Sequence, residues 1–182
     1  MLISKNKSEK EIIDIKVLEA KIGCAVPLEL TLFLEKFNGG ITPKTSFRLN
    51  GISSDVVAFY GIGDLKYSYN DVKILKTDEG TYLPIAFDTF GNIILMDIDR
   101  GYIVFQDHES GSSLTVLAPN LKSFINSCKS SPINPASLKS VEEREQDLIK
   151  RGRGNIITEE LRKLWQEERE KYSKIRQEEV FF

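Results

Sequence analysis

Cysteine is nearly absent. Only Cys24 and Cys128 occur, with no CxxC spacing, so neither a disulfide framework nor a thiolate zinc site is expected, and a reducing compartment fits best. Histidine appears once, as His108 in Gln106-Asp107-His108-Glu109, which removes the paired-histidine spacings of metal hydrolases and leaves no serine or cysteine nucleophile at recognisable spacing. An excess of positive charge is lacking too. The 25 basic and 27 acidic residues leave a net charge of −2 and a pI near 5.6, so no global basic field exists to bind a phosphate backbone, and direct nucleic-acid binding is not expected. No apolar run approaches the roughly 18 residues of a membrane span, and the first residues, Met1 to Lys10, hold no apolar run of signal-peptide type before their charges. No membrane association is expected, and a cytoplasmic location is.

What is present is enough for one domain and an appendage: 182 residues, 41% of them hydrophobic, supply a sizeable core. Charge density then divides the chain. Residues 1–137 carry 14 basic and 16 acidic groups, whereas the much shorter 138–182 carries 11 of each. Between them lies a Ser/Pro-rich stretch, 127–137, where Pro132 and Pro135 remove N–H donors and restrict their predecessors, which disfavours continuous helix. The expected organisation is a domain over 1–129, a linker over 130–137 and a charged helical extension over 138–182.

Within the domain the hydrophobic period changes twice. Ile12, Ile13, Ile15, Val17, Leu18 and Ile22 predict a first helix, capped by Ser8 with Glu11 at the capping-box position and stopped by Gly23. Pro27 suits the first turn of a second helix, whose Leu30, Phe33, Leu34 and Phe37 form an i, i+3, i+4, i+7 stripe ending at Asn38-Gly39-Gly40. Short β-branched and aromatic runs follow at 55–60, 81–87, 92–96, 101–105 and 113–117, and the glycine-bearing connections 88–91 and 97–101 predict an antiparallel meander. A short helix is expected over Tyr67 to Lys76. Asn120 caps a closing helix that turns Leu121, Phe124 and Ile125 inward. In the extension, helices are predicted over Leu138 to Lys150 and Thr158 to Glu179, broken by Gly152 and Gly154. The stripe of Leu161, Trp165, Tyr172 and Ile175 must cover apolar surface, and Glu168 and Glu179 interrupt any coiled-coil seam.

Three separated stretches resemble the SUKH superfamily of fungal cell-wall assembly regulators and bacterial immunity proteins. The first runs from Leu18 to Gly40, with a Val26-Pro27 step where the family pattern has Leu-Pro, an aromatic-rich helix and a terminal Asn-Gly-Gly. The second runs from Leu83 to Leu95 and on through Gly101 to Glu109, and the third from Leu117 to Asn126. Together they cover about residues 9–129. The tryptophan common in the family's early sheet is missing, since the one tryptophan is Trp165. The resemblance implies an α+β fold: an N-terminal helical pair, a central, mostly antiparallel curved sheet, a closing helix and, appended, the C-terminal helical extension. It also implies no catalytic apparatus and no cofactor, and a cognate toxin protein as partner, in many cases a nuclease.

The residues themselves offer one candidate surface. Between Thr77 and Leu121 the only basic residue is Arg100, against Asp78, Glu79, Asp88, Asp97, Asp99, Asp107 and Glu109. Sharing a face, these carboxylates would speed association with a basic partner. Asp88, Asp97, Asp99, Asp107 and Glu109 are therefore the candidate contact residues, although Asp88, Asp97 and Asp99 also sit where turns favour short polar side chains. Asp97, Asp99 and Asp107 offer oxygen atoms to a magnesium ion, but no DxDxDG loop accompanies them, so no metal site is expected. The expected activity is direct occlusion of a toxin. The alternative is a regulatory scaffold that holds client proteins through its charged helices.

Overall fold

A computed structural model describes residues 1–8, 10–110, 113–134, 137–173 and 175–181. Contacts along the chain group into two units, Met1–Pro132 joined by the residues from Gln177 onward, and Ile133–Arg176. The first unit opens with strand β1 (Leu2–Lys5) and helices α1 (Ile15–Ile22) and α2 (Leu28–Phe37). Strands β2 (Gly40–Leu49), β3 (Ile52–Phe59), β4 (Leu75–Thr77), β5 (Gly80–Phe87), β6 (Ile93–Asp97), β7 (Ile103–Gln106) and β8 (Leu114–Ala118) follow, then α3 (Leu121–Ser127) and β9 (Lys129–Ser130). In the second unit stand α4 (Val141–Lys150) and α5 (Glu159–Ser173), after which the chain returns to the first as β10 (Glu178–Glu179). This is the α+β fold expected from the resemblance.

The sheet has ten strands in the order β10-β1-β2-β3-β5-β6-β7-β8, with β4 beside β5 and β9 beside β2, and every named pair is antiparallel. It is strongly curved: the Asn50 side chain at the β2–β3 hairpin tip donates to the carbonyl of Val116 in β8 at 2.8 Å. One face carries the helices. There Phe33 packs against Phe37 and Phe59 with ring centroids 5.4 and 5.0 Å apart, and Phe47 meets Phe124 at 5.4 Å. Leu30, Phe33, Leu34 and Phe37 are all buried, as are Leu121, Phe124 and Ile125, so both predicted helical stripes face the core. Each such side chain contributes about 1.5–3 kcal/mol.

Several expectations are corrected. The first helix starts at Ile15 under an Asp14 cap, and Ile12, expected inside, is 93% exposed, because Ser8 and Glu11 bond to each other in a separate turn upstream. Pro27 stands at the cap of α2, one position before the first turn. Tyr67 to Lys76 holds only a three-residue 3-10 turn, Tyr69–Asp71, and strand β4. The last helix ends at Ser173, and Glu178 and Glu179 pair instead with Ile3 and Leu2. β2, the longest strand, has no sequence signature because Pro43 and polar residues break its pattern. The register slips between Ile41 and Thr45, a bulge at which proline costs no ladder bond. Pro135 of the expected linker and Lys174 lie outside the described residues.

One corner ties these elements together. Asn38 ends α2 in the left-handed conformation, and its fully buried side chain accepts from the Ile62 N–H at 2.7 Å and donates to the Ile62 carbonyl at 2.9 Å. Its own carbonyl accepts from the Asn6 side chain after β1. Gly39 has a positive φ of 68°, and a Cβ there would stand 2.5 Å from the Tyr60 carbonyl oxygen. A Cβ at Gly61 would meet the Asn38 carbonyl oxygen at 2.2 Å. No side chain fits at either place.

The second unit, by itself, is a pair of charged helices. Ser140 and Glu143 form a capping box on α4, and Thr158 caps α5. Arg144 pairs with Glu168 at 2.6 Å while lying over the Trp165 ring, and Arg162 pairs with Glu145. No side chain of α4 or α5 is fully buried.

Asn38→Ala strands the N–H and the carbonyl of Ile62 and should lower the unfolding free energy by about 2–4 kcal/mol in a urea titration. The two thiols should differ sharply. Cys24 is exposed, whereas burial pushes the Cys128 thiol up from 9.0 to about 12. A thiol reagent at pH 8 should label Cys24 alone until denaturant is added. The folded state holds the Cys128 proton more tightly, so its stabilisation is complete below pH 9 and is lost progressively between pH 9 and about 12.

Candidate partner-binding surface

The antiparallel meander distributes the candidate carboxylates between two ends of the sheet. The β5–β6 turn and the β7–β8 loop lie at one end, bringing Asp88 near Asp107 and Glu109. The β6–β7 turn lies at the other with Asp97 and Asp99, beside Gly80 of the β4–β5 hairpin. Five residues of β6 separate the ends by about 13 Å at 3.3 Å per residue. That exceeds the Debye length of about 10 Å at 0.1 M salt, so the two groups act as separate patches.

At the first end, Asp88 is only 2% exposed. One of its oxygens accepts from the N–H groups of Phe90 and Asn92 at 2.9 and 2.8 Å, and the other from Ser54 Oγ and Asn92 Nδ2 at 2.6 and 2.7 Å. The carboxylate is spent on holding the turn. Asp55, on β3, takes both the N–H and the hydroxyl of Thr89. Asn92 Oδ1 in turn accepts from the His108 N–H at 3.0 Å and lies 2.8 Å from ring Nδ1, which locks the β7–β8 loop to the same turn. The outcome is a rigid platform that holds Phe90 70% exposed. Asp107 and Glu109 project beside it, half and largely exposed. The Glu109 N–H, at 2.8 Å, holds the Asp107 carboxyl below its ordinary range, so it remains charged well below neutrality.

At the second end Asp97 is likewise 2% exposed. It accepts from the N–H groups of Asp99 and Arg100, both at 3.0 Å, and pairs with the Arg100 guanidinium at 3.2 Å. Asp99 is exposed. Asp88 and Asp97 thus organise turns, and Asp99, Asp107 and Glu109 are the candidate contact residues whose charges reach solvent.

His108 is tied to Asn92 and flanked by Asp107 and Glu109 at 4.0 and 3.9 Å. Among the described residues, no three His, Cys, Asp or Glu side chains are arranged to hold a metal ion. No helix there is long and apolar enough to cross a membrane. Two members of the surface escaped the sequence reading: Asp55, whose role depends on strand pairing, and Phe90. A phenylalanine between Thr89 and Gly91 in a turn was the available signal for the latter.

The two kinds of carboxylate should separate in a stability measurement. Asp88→Ala strands four donors and should cost about 2–4 kcal/mol, whereas Glu109→Lys should leave the urea midpoint unchanged within error.

Comparison with known proteins agrees with the resemblance drawn from the three stretches. The family model described as SMI1 / KNR4 family (SUKH-1) matches residues 12–127, well over half of the chain. No curated protein and no solved structure matches it. The chain belongs to the SMI1 / KNR4 family (SUKH-1).

Proposed function

We propose that this protein is an immunity-type binding protein that neutralises a cognate toxin in the cytoplasm by covering its working surface, without turning over a substrate. Membership of the SUKH family is consistent with such a role. The observation that carries the reading is Phe90: a large apolar side chain held in solvent on a turn fixed by Asp55, Asp88 and Asn92, with Asp107 and Glu109 alongside. Exposing phenylalanine costs solubility, and here the turn is also rigid, so little conformational entropy is lost when it docks. An aromatic anchor rimmed by carboxylates suits a basic partner surface with an apolar pocket, as a nuclease groove provides.

A second reading, a scaffold that binds client proteins through 133–176, is favoured by the exposed Ile149 and Leu164 on otherwise charged helices. The structure determines how the two readings must be separated. Truncation at 138 would also remove β10 and, after it, Val180, which is buried and donates its N–H to the Met1 carbonyl. The segment leaves and returns beside one strand, because Ser130 Oγ accepts from the Leu2 N–H while Glu179 pairs with Leu2. A short glycine-serine linker can therefore replace 133–176 and keep β10.

Against a cognate toxin domain, D107K/E109K should slow association by about tenfold at low salt, and Phe90→Ala should speed dissociation by at least about tenfold. Unchanged rates for both variants would overturn the proposed surface. Protection that survives replacement of 133–176 supports immunity, and client binding lost with it supports the scaffold.

A further inference from the structure

Adjoining that surface, the segment between β3 and β4 encloses a cleft of about 310 Å³ lined by Tyr60, Lys66, Tyr67, Asp71, Lys73 and, from the sheet, Pro84 and Ile93, the residue after Asn92. The volume lies at the small end of the roughly 300–1,000 Å³ typical of ligand sites. Its walls are preformed. Gly61 and Ser68 bridge across the loop, the buried Ser68 hydroxyl donates to the Gly63 carbonyl and accepts from the Asn70 N–H, and Asn38 clamps Ile62 from behind. Lys21 of α1 fastens the far side through the carbonyls of Tyr69 and Asn70.

The lining combines two chemistries. Tyr60 and Tyr67 both rest on Phe87, with ring centroids 5.5 and 4.9 Å away, so the two half-buried rings present fixed aromatic surface above an apolar floor. Lys66 and Lys73 stand exposed on the rim and, among the described residues, neither forms an ion pair. Lys66 instead lies 5.1 Å from the Tyr67 centroid. Against them stands only Asp71, which leaves the cleft with a net positive charge in a protein of net charge −2. A structural role would predict the reverse. The two lysines outnumber the one carboxylate of the lining, and among the described residues neither is neutralised by an ion pair.

We infer that this cleft binds a small phosphorylated nucleoside, its base against Tyr60 and Tyr67, its phosphate on Lys66 and Lys73, and Asp71 accepting from a sugar hydroxyl or an exocyclic amine. Base–aromatic stacking is indifferent to base identity, and lysine ammonium groups recognise phosphate as point charges, so the site is selective for the combination of ring and anion and not for one base. The inference is independent of the toxin-binding reading.

The probe is adenosine monophosphate, titrated into the ¹⁵N-labelled full chain and followed by amide shifts, with adenosine and inorganic phosphate as parallel arms. The expected result is saturable shifts confined to residues 60–73 and the neighbours of Pro84 and Ile93, with each half-ligand binding at least about tenfold more weakly. K66A/K73A alters only exposed side chains and should lower the affinity at least about tenfold while leaving the rest of the amide spectrum in place. Tyr67→Phe, which retains the ring, should bind as the parent does. The proposal is overturned by the absence of saturable shifts in 60–73, by equal binding to K66A/K73A, or by inorganic phosphate binding as tightly as the nucleotide.

Discussion

The buried amide of Asn38 is the junction on which the rest of the first unit depends. Helix α2 must stop there, the chain must turn into β2 beside β1, and the loop after β3 must pass close enough for Ile62 to exchange two hydrogen bonds with a single side chain. Only a residue that tolerates a left-handed backbone and carries both a donor and an acceptor meets all three demands. Glycine at 39 and at 61 follows from the same close approach, because each faces a backbone carbonyl at a distance no Cβ can occupy. The corner sets the entry of the central sheet and braces one wall of the tyrosine-lined cleft.

This junction also shows where sequence reasoning reaches and where it stops. The stripes of α2 and α3 and the runs that became β3, β5, β6, β7 and β8 were legible because one-sided burial imposes a period on the chain. Asn38-Gly39-Gly40 was legible as a helix stop, but its second role depends on residues more than twenty positions away. β2 escaped because Pro43 at a bulge suppresses the alternation. β1 and β10 escaped because two- to four-residue strands carry too little pattern, and β10 draws its identity wholly from pairing with Leu2 and Ile3.

The acidic run between Thr77 and Leu121 illustrates a subtler limit. Counting charges along a meander adds residues that alternate between opposite ends of the sheet, and it does not distinguish a carboxylate that organises a turn from one that meets solvent. Asp88 and Asp97 do the first and Asp107 and Glu109 the second, although all four are acidic side chains beside turns. The rigidity given by Asp88 serves the exposed group next to it: a turn pinned by four hydrogen bonds presents Phe90 in one place. In the proposed function, buried charge and exposed aromatic act in sequence, the first removing the disorder that would weaken binding through the second.

The central claim is that this protein works by covering a macromolecule with the end of the sheet formed by the β5–β6 turn and the β7–β8 loop. Amide hydrogen exchange on a complex with a cognate toxin domain, the proposed partner, tests it most directly. The account predicts slowed exchange at 88–92 and 106–110, with the amides of β1 and β10 at the far edge of the sheet unchanged. Protection confined to 133–176, or none at 88–92 in a complex that still neutralises the toxin, would contradict it.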